Sequence, residues 1–264
     1  MHILLIGASG RTGKVVMEEA LSRGKHAMCH HPELRLVGQL ICAFCLTGHT
    51  LTALVRNPDS LQPRDGVTIV KGKVISQNCD AINPNVVAGT ALNKDDIESA
   101  FSATPSSPPT AVIVTLNAQR KSDNPWAAPV APPRMMADSN ANITSVMKAH
   151  SVRKIVVMSA FGVAESFNNM NILLRLTIRH SNMSYQFEDH GLVDKEMKER
   201  QDIDWVIARP TMLAEGAALP VKEWGNDGAG VGLTMKITRG TVASFLVDAA
   251  EKDKWNHTTP VLTN

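Results

Sequence analysis

Apolar positions along the chain alternate between two kinds of pattern. Ile3, Leu4, Leu5 and Ile6 form a continuous apolar run, as a parallel strand buried on both faces requires. Val15, Val16, Met17, Ala20 and Leu21 then recur at helical spacing. Further strand-like runs fall at 51–55, 67–70, 111–115, 155–158 and 205–208, and helical patterns at 94–101, 140–149, 190–200 and 241–251. This repetition predicts an α/β chain: a doubly wound parallel sheet in a three-layer α/β/α arrangement, forming a single domain over 1–264. Loops after the strands, at their carboxyl ends, are where such sheets bind ligands. Loops are expected at 103–109 and 127–133, the second as a flap over the site.

Between the first strand and helix lies Gly7-Ala8-Ser9-Gly10-Arg11-Thr12-Gly13. Gly7 permits a tight turn, Gly10 lets backbone N–H groups approach a pyrophosphate, and Gly13 allows close helix–strand packing. The spacing is G-x-x-G-x-x-G, and its place after an apolar strand predicts a dinucleotide site.

Two segments interrupt the pattern. The first βαβ unit, residues 2–56, is far longer than the roughly 30 residues such a unit needs. Without 25–48 it joins helix end, turn and strand in the usual way, and Arg56 falls 19 positions after Gly13, near the ribose-reading position. A second excess is 73–89. Both segments begin after a glycine with a lysine and end in a glycine, and their codons can carry splice donor and acceptor sequences. Our hypothesis is that both are translated retained introns; coding DNA lacking GT and AG at their ends would remove it. A family-specific insertion is the alternative. So is a zinc site built on Cys42-x-x-Cys45 with Cys29, His30 and His31. All four cysteines, Cys29, Cys42, Cys45 and Cys79, lie inside these segments, a distribution unlike a secreted disulfide scaffold.

Composition narrows the classes. Net charge is +2 among 264 residues, too weak a bias for a nucleic-acid or anionic-membrane partner. The longest apolar stretch, 40–46, is too short to span a bilayer, and residues 1–6 lack a basic signal-peptide start. The resulting expectation is a cytoplasmic monomer that acts on a small molecule without a metal.

Six motifs, GASGRTG at 7–13, TALVRNP at 52–58, AVIVTLN at 111–117, KIVVMSAFGV at 154–163, EDHGLVDKEM at 188–197 and DWVIARPTML at 204–213, occur in this order. The chain resembles the NmrA-like, biliverdin reductase B (flavin reductase)-like branch of the atypical short-chain dehydrogenases, which implies a Rossmann domain. Arg56 stands where an NAD enzyme carries an acid, so pairing with a 2′-phosphate favours NADP(H) over NAD(H); Asn57 adds a hydrogen bond and Arg11 is a second phosphate candidate. The resemblance places Thr90, Ala91 and Leu92 at the adenine, and Thr115, Leu116 and Asn117 beside the ribose and nicotinamide. It places Met158 next to the nicotinamide ring and Pro210, Thr211, Met212 and Leu213 along the carboxamide. Ser159 can bond an acceptor carbonyl or relay a proton. Phe161, Met170 and Leu173 are the expected substrate wall, with substrate-side elements mainly in 162–187 and 210–238.

The resemblance departs from ordinary short-chain dehydrogenases in its acid–base group. Tyr185 is the only tyrosine, and Asp189, not a lysine, lies four residues on. His190 matches a histidine of the resembled branch, where a near-neutral imidazole would hold the ribose or donate a proton. The implied activity is NADPH-dependent hydride transfer to a flavin, quinone or other conjugated carbonyl. Two alternatives stand beside it: a dinucleotide-binding regulator or redox sensor with a protein partner and no turnover, and a nonfunctional translation product.

Overall fold

The computed structural model describes residues 1–26, 49–57, 61, 66–68 and 86–264. The four cysteines, Pro58, His30, His31 and nearly all of both excess segments lie outside the described residues. The retained-intron, insertion and zinc readings therefore fall there too.

Strand β1 (His2–Ile6) is buried throughout and leads through the glycine loop into α1 (Arg11–His26). The helix runs on through the first two positions of the expected excess. It is followed by β2 (Thr50–Val55), β3 (Val67–Thr68), β4 (Val86–Ala88) and α2 (Lys94–Ser102), whose Asn93 side chain caps the Asp95 N–H at 2.9 Å. Then come β5 (Ala111–Val114), α3 (Met135–Ala149), β6 (Lys154–Met158), a 3-10 turn (Ala164–Asn169), α4 (Ile172–Arg179) and α5 (Met183–Lys198). The chain closes with β7 (Asp204–Pro210), β8 (Met212–Ala214), β9 (Lys222–Trp224), β10 (Lys236–Thr238), α6 (Arg239–Glu251) and β11 (Val261–Thr263).

The main sheet runs β3-β2-β1-β5-β6-β7-β11-β9, with β4 also on β2, and every pair is parallel except β9 with β11. β8 and β10 form a separate parallel pair. Alternation along β1 sorts the core into two layers. Ile3 and Leu5 face Val16, Met17 and Ala20 of α1 and Val242, Phe245 and Leu246 of α6. Leu4 and Ile6 face Ile97 and Phe101 of α2, Ile143 and Met147 of α3 and Val193 and Met197 of α5. This is the expected doubly wound α/β/α fold. The strand order reverses between β1 and β5, which opens a crevice above their carboxyl ends.

One edge of the sheet is built in two pieces. Leu51 and Thr52 pair with Val67 and Thr68, and the next β2 positions, Ala53, Leu54 and Val55, pair with Val86, Val87 and Ala88. β3 and β4 are thus successive halves of one strand line. Residues 86–88, expected to belong to the second excess, are sheet.

No helix among the described residues is long and apolar enough to cross a membrane.

Candidate functional site

A cleft of about 630 Å³ opens above the ends of β1, β2, β5 and β6. Its floor is the glycine loop. Gly7 holds φ at +93°, in the left-handed region, and a Cβ there would lie 2.8 Å from Thr115 Oγ1. A Cβ on Gly13 would lie 2.1 Å from the Gly7 carbonyl oxygen, so only glycine lets α1 start this close to the loop. The Gly10 N–H donates to the Gly7 carbonyl at 3.0 Å, and the Gly10 carbonyl accepts from Lys14 N at 3.0 Å. This leaves the first N–H groups of α1 without intrahelical partners. No acidic residue sits in that first turn. The result is an anion cradle of the size and polarity that a dinucleotide pyrophosphate fits.

Of the expected cofactor residues, Gly7, Ser9, Gly10, Arg11, Thr12, Arg56, Thr90, Ala91, Leu92, Thr115, Leu116, Asn117 and Met158 line the cleft. Ala8, Gly13, Asn57, Pro210, Thr211 and Met212 do not. Thr115 spends its hydroxyl on the loop, donating to the Ile6 and Gly7 carbonyls at 3.3 and 3.2 Å. Thr211 Oγ1 donates to the Leu262 carbonyl at 3.2 Å, and Met212 is exposed. Along β8 it is the next residue, Leu213, that faces the cleft, as strand alternation dictates. The 90–92 loop is held by Asp96, which accepts the Thr90 N–H at 2.9 Å, and by Asn142, which donates to the Leu92 carbonyl at 3.0 Å.

Further lining residues lie beyond the expected cofactor positions, three of them in the loop expected at 127–133. Gln119, Arg120, Ser122, Asp123, Val130, Ala131 and Pro132 come from a flap after β5. Its arms are joined where Lys121 N donates to Ala128 O at 3.0 Å and Val130 N to Gln119 O at 2.8 Å. Asn182, just before α5, donates to the Trp126 carbonyl at 2.9 Å and ties down its tip. Met135 and Ser139 of α3, Gln186 of α5 and Arg239 of α6 complete the wall. Gln186 also donates to the Asn117 side chain. The loop expected at 127–133 pointed to the flap; nothing in the local pattern pointed to Gln186 or Arg239.

The lining carries four arginines, Arg11, Arg56, Arg120 and Arg239, against one carboxylate, Asp123. Arg11 pairs with Asp123 at 3.3 Å, but both side chains are exposed, so the pair is worth under about 1 kcal/mol and yields readily to a phosphate. Arg56 is exposed at the tip of β2 and makes no hydrogen bond or ion pair among the described residues.

Ser159 and His190 lie outside the cleft lining. Ser159 follows the cleft residue Met158, is buried, and its Oγ has no hydrogen-bond partner among the described residues. His190 is buried in α5, and burial pushes its imidazole down to about 4. It is therefore neutral at pH 7, unlike the near-neutral titrating group the sequence suggested. Asp189 beside it serves another helix: its carboxylate accepts the Met136 and Ala137 N–H groups at 2.8 and 3.0 Å, capping α3.

The three residues expected to form a substrate wall also lie outside the cleft lining. Phe161 packs on Gly228, where a Cβ would come within 2.7 Å of its ring. Met170 is buried over Gly162, and Leu173 is exposed on α4. None of the three lines the cleft; its apolar lining includes Leu116, Val130, Met135, Met158 and Leu213. Beneath this end a buried ionic cluster fixes the elements. Arg209 of β7 pairs with Asp194 of α5 and donates to Glu165 at 3.1 Å and to the Asn226 carbonyl at 2.6 Å. Burial would raise the Glu165 carboxyl, but hydrogen bonds from Arg209 and Lys198 hold it down at about 2. Among the described residues no group of three His, Cys, Asp or Glu side chains is placed to hold a metal.

The fold and this cleft define a dinucleotide-binding α/β protein. The sequence matches the NAD(P)H-binding family over residues 35–253, and the chain belongs to that family. That membership agrees with the resemblance drawn from the motifs. No curated protein matches the sequence. Among solved structures it is similar to ChuY, an anaerobilin reductase from Escherichia coli O157:H7, with TM-score 0.65 and 14% identity over 100% of this chain and 97% of that one. It is also similar to a short-chain dehydrogenase/reductase from Veillonella parvula, with TM-score 0.63 and 13% identity over 100% and 94% of the two chains. The oxidoreductase ylbE from Lactococcus lactis gives 0.62 and 13% over 100% and 91%. At these identities the likeness is one of fold.

Proposed function

We propose that this protein is an NADPH-dependent oxidoreductase that delivers hydride to a flat conjugated acceptor, a flavin, a quinone or a related carbonyl compound. The observation that carries the reading is Arg56: a guanidinium with no partner among the described residues, on the cleft rim at the end of the strand next to the glycine loop. A 2′-phosphate there gains a charge-assisted, bidentate partner that a ribose hydroxyl cannot match.

In this reading the α1 amino end and glycine loop hold the pyrophosphate, and residues 90–92 flank the adenine. Met158 and Leu213 flank the nicotinamide, which supplies the hydride. The flap from Gln119 to Pro132 shields that end from water. Leu116, Val130 and Met135 offer an apolar seat for a flat acceptor. The Ser159 hydroxyl is buried outside the cleft lining and takes no contact with the acceptor in this reading. With His190 neutral and no Tyr-x-x-x-Lys pair, the proton that accompanies hydride comes from solvent. Catalysis rests on holding donor and acceptor in line. Membership of the NAD(P)H-binding family supports the cofactor class, and the reductase names of similar folds support the reaction class.

The test is NADPH oxidation by purified protein with a panel of flavins and quinones, alongside equilibrium NADPH binding. Turnover on at least one acceptor is expected. Tight NADPH binding with no turnover on any of them would replace the enzyme with the regulator reading.

A further inference from the structure

Arg239 is used by nothing described so far. It is the first residue of α6, where a cation works against the positive end of the helix dipole. Only 7% of it is exposed, and a guanidinium this deep needs partners for its donors. It has one: Nη1 meets the carboxylate of Glu215, whose own side chain is 75% exposed. Nε is buried with no partner among the described residues, and Nη2 makes no hydrogen bond among them either. The Nε–Nη2 edge, the side of the fork that engages a carboxylate or phosphate with two parallel bonds, is unused among the described residues.

The helix terminus itself is already satisfied. Gly240 N donates to the Gly216 carbonyl at 3.1 Å, Thr241 N donates to Thr238 Oγ1 at 3.2 Å, and a strap over residues 215–219 packs on the start of α6. The unmet demand is therefore that of the side chain. Arg239 also lines the cleft, together with Leu213 and Met158. α1 and α6 lie side by side in the same direction, since Arg23 near the end of α1 pairs with Asp248 and Glu251 near the end of α6. Their amino ends both open at the cleft. Arg56 belongs to β2, on the far side of β1 from β5 and β6, so Arg239 and Arg56 serve opposite ends of the site.

We propose that Arg239 is an oxyanion-binding residue of the cleft. Its Nε–Nη2 edge takes a carboxylate or phosphate oxygen, supplied by an acid-bearing acceptor or by the cofactor phosphate on the nicotinamide side. In the first case Arg239 selects acceptors that carry an anionic group in addition to the conjugated ring system. The proposal rests on the reading of the cleft given above.

The experiment measures dissociation constants by fluorescence for NADPH, FMN and riboflavin, the two flavins differing by one phosphate, in wild-type protein and Arg239→Gln. No turnover is needed. A rise of about tenfold or more for FMN with riboflavin and NADPH unchanged assigns the anion to the acceptor. A comparable rise for NADPH, with the FMN-to-riboflavin ratio unchanged, assigns it to the cofactor. A folded Arg239→Gln protein that binds all three as wild type does overturns the proposal while leaving the dinucleotide reading intact. Wild-type protein that discriminates FMN from riboflavin through Arg239 but does not bind NADPH overturns the dinucleotide reading and leaves the proposal standing. Binding of none of the three by wild type ends both. If Arg239→Gln fails to fold, Glu215→Gln decides. Freeing Nη1 from its carboxylate should tighten FMN or NADPH several-fold, and no change in either refutes the proposal.

Discussion

Deleting residues 69–85 is the perturbation that the two-piece strand makes most informative. Thr68 pairs with Thr52, and Val86 pairs with Ala53, the very next position of β2. Joining Thr68 to Val86 therefore continues one strand line without shifting its register. The intact chain must bring these two points together across about 17 residues, an ordering cost near (3/2)RT ln n, or about 2.5 kcal/mol. Removing the stretch lifts that cost, and a chain of this size gains about 2–4 °C in Tm per kcal/mol. A rise of up to about 10 °C is expected in thermal melts, with urea melts remaining cooperative and NADPH affinity unchanged, since Gly89 and Thr90 keep their places in the cleft. Deleting 73–89 instead removes the same length and delivers Gly72 to the place of Gly89. Glycine is needed there because a Cβ would lie 2.6 Å from the Asp96 side chain. This second deletion should also fold and bind. A fall in Tm of more than about 5 °C, or loss of NADPH binding, in the 69–85 deletion would refute the claim that β3 and β4 are halves of one strand.

Two other outcomes follow from groups buried around the site. Asp189→Ala strips both acceptors from the amino end of α3 and should destabilise the protein by about 1–3 kcal/mol in urea melts; an effect under about 0.5 kcal/mol would mean the cap is dispensable. For His190, burial holds the folded-state value near 4 against an ordinary 6.5, so on acidification the unfolded chain takes the proton first. Stability from this group is full above about 6.5 and is lost as pH falls toward 4. Between pH 7 and 5 the loss is about 2 kcal/mol, and His190→Leu should flatten the pH dependence by that amount, whereas an unchanged slope would show the ring to be solvated.

How far the sequence could be read depended on how local the causes were. The glycine loop was legible because Gly10 and Gly13 both close on the Gly7 carbonyl within the loop itself, and the strand runs because burial on both faces leaves mostly apolar positions. The start of α3 was not legible: Met135 has no neighbouring cap, Arg134 before it sits at a left-handed φ of 60°, and its acceptor is Asp189, more than fifty residues on. Met135 and Ser139 were missed with it. Gln186 escaped for a similar reason, since α5 begins at Met183 rather than near His190 and so carries about two more turns toward the cleft. The short strands β8 to β11 have three residues each, too few for alternation to show, so the run 210–213 could be placed at the site without telling which of its residues, Leu213, faces the cleft. Thr238 caps α6 locally, yet Gly240 in its first turn hid the helix start and, with it, Arg239.

Titration of the purified protein with NADPH and NADH, in wild type and in Arg56→Ala, addresses the central claim most directly. The account predicts that wild type binds NADPH at least about tenfold more tightly than NADH, and that Arg56→Ala erases the difference by weakening NADPH alone. Equal affinity of wild type for the two nucleotides, or a preference that survives Arg56→Ala, would contradict it.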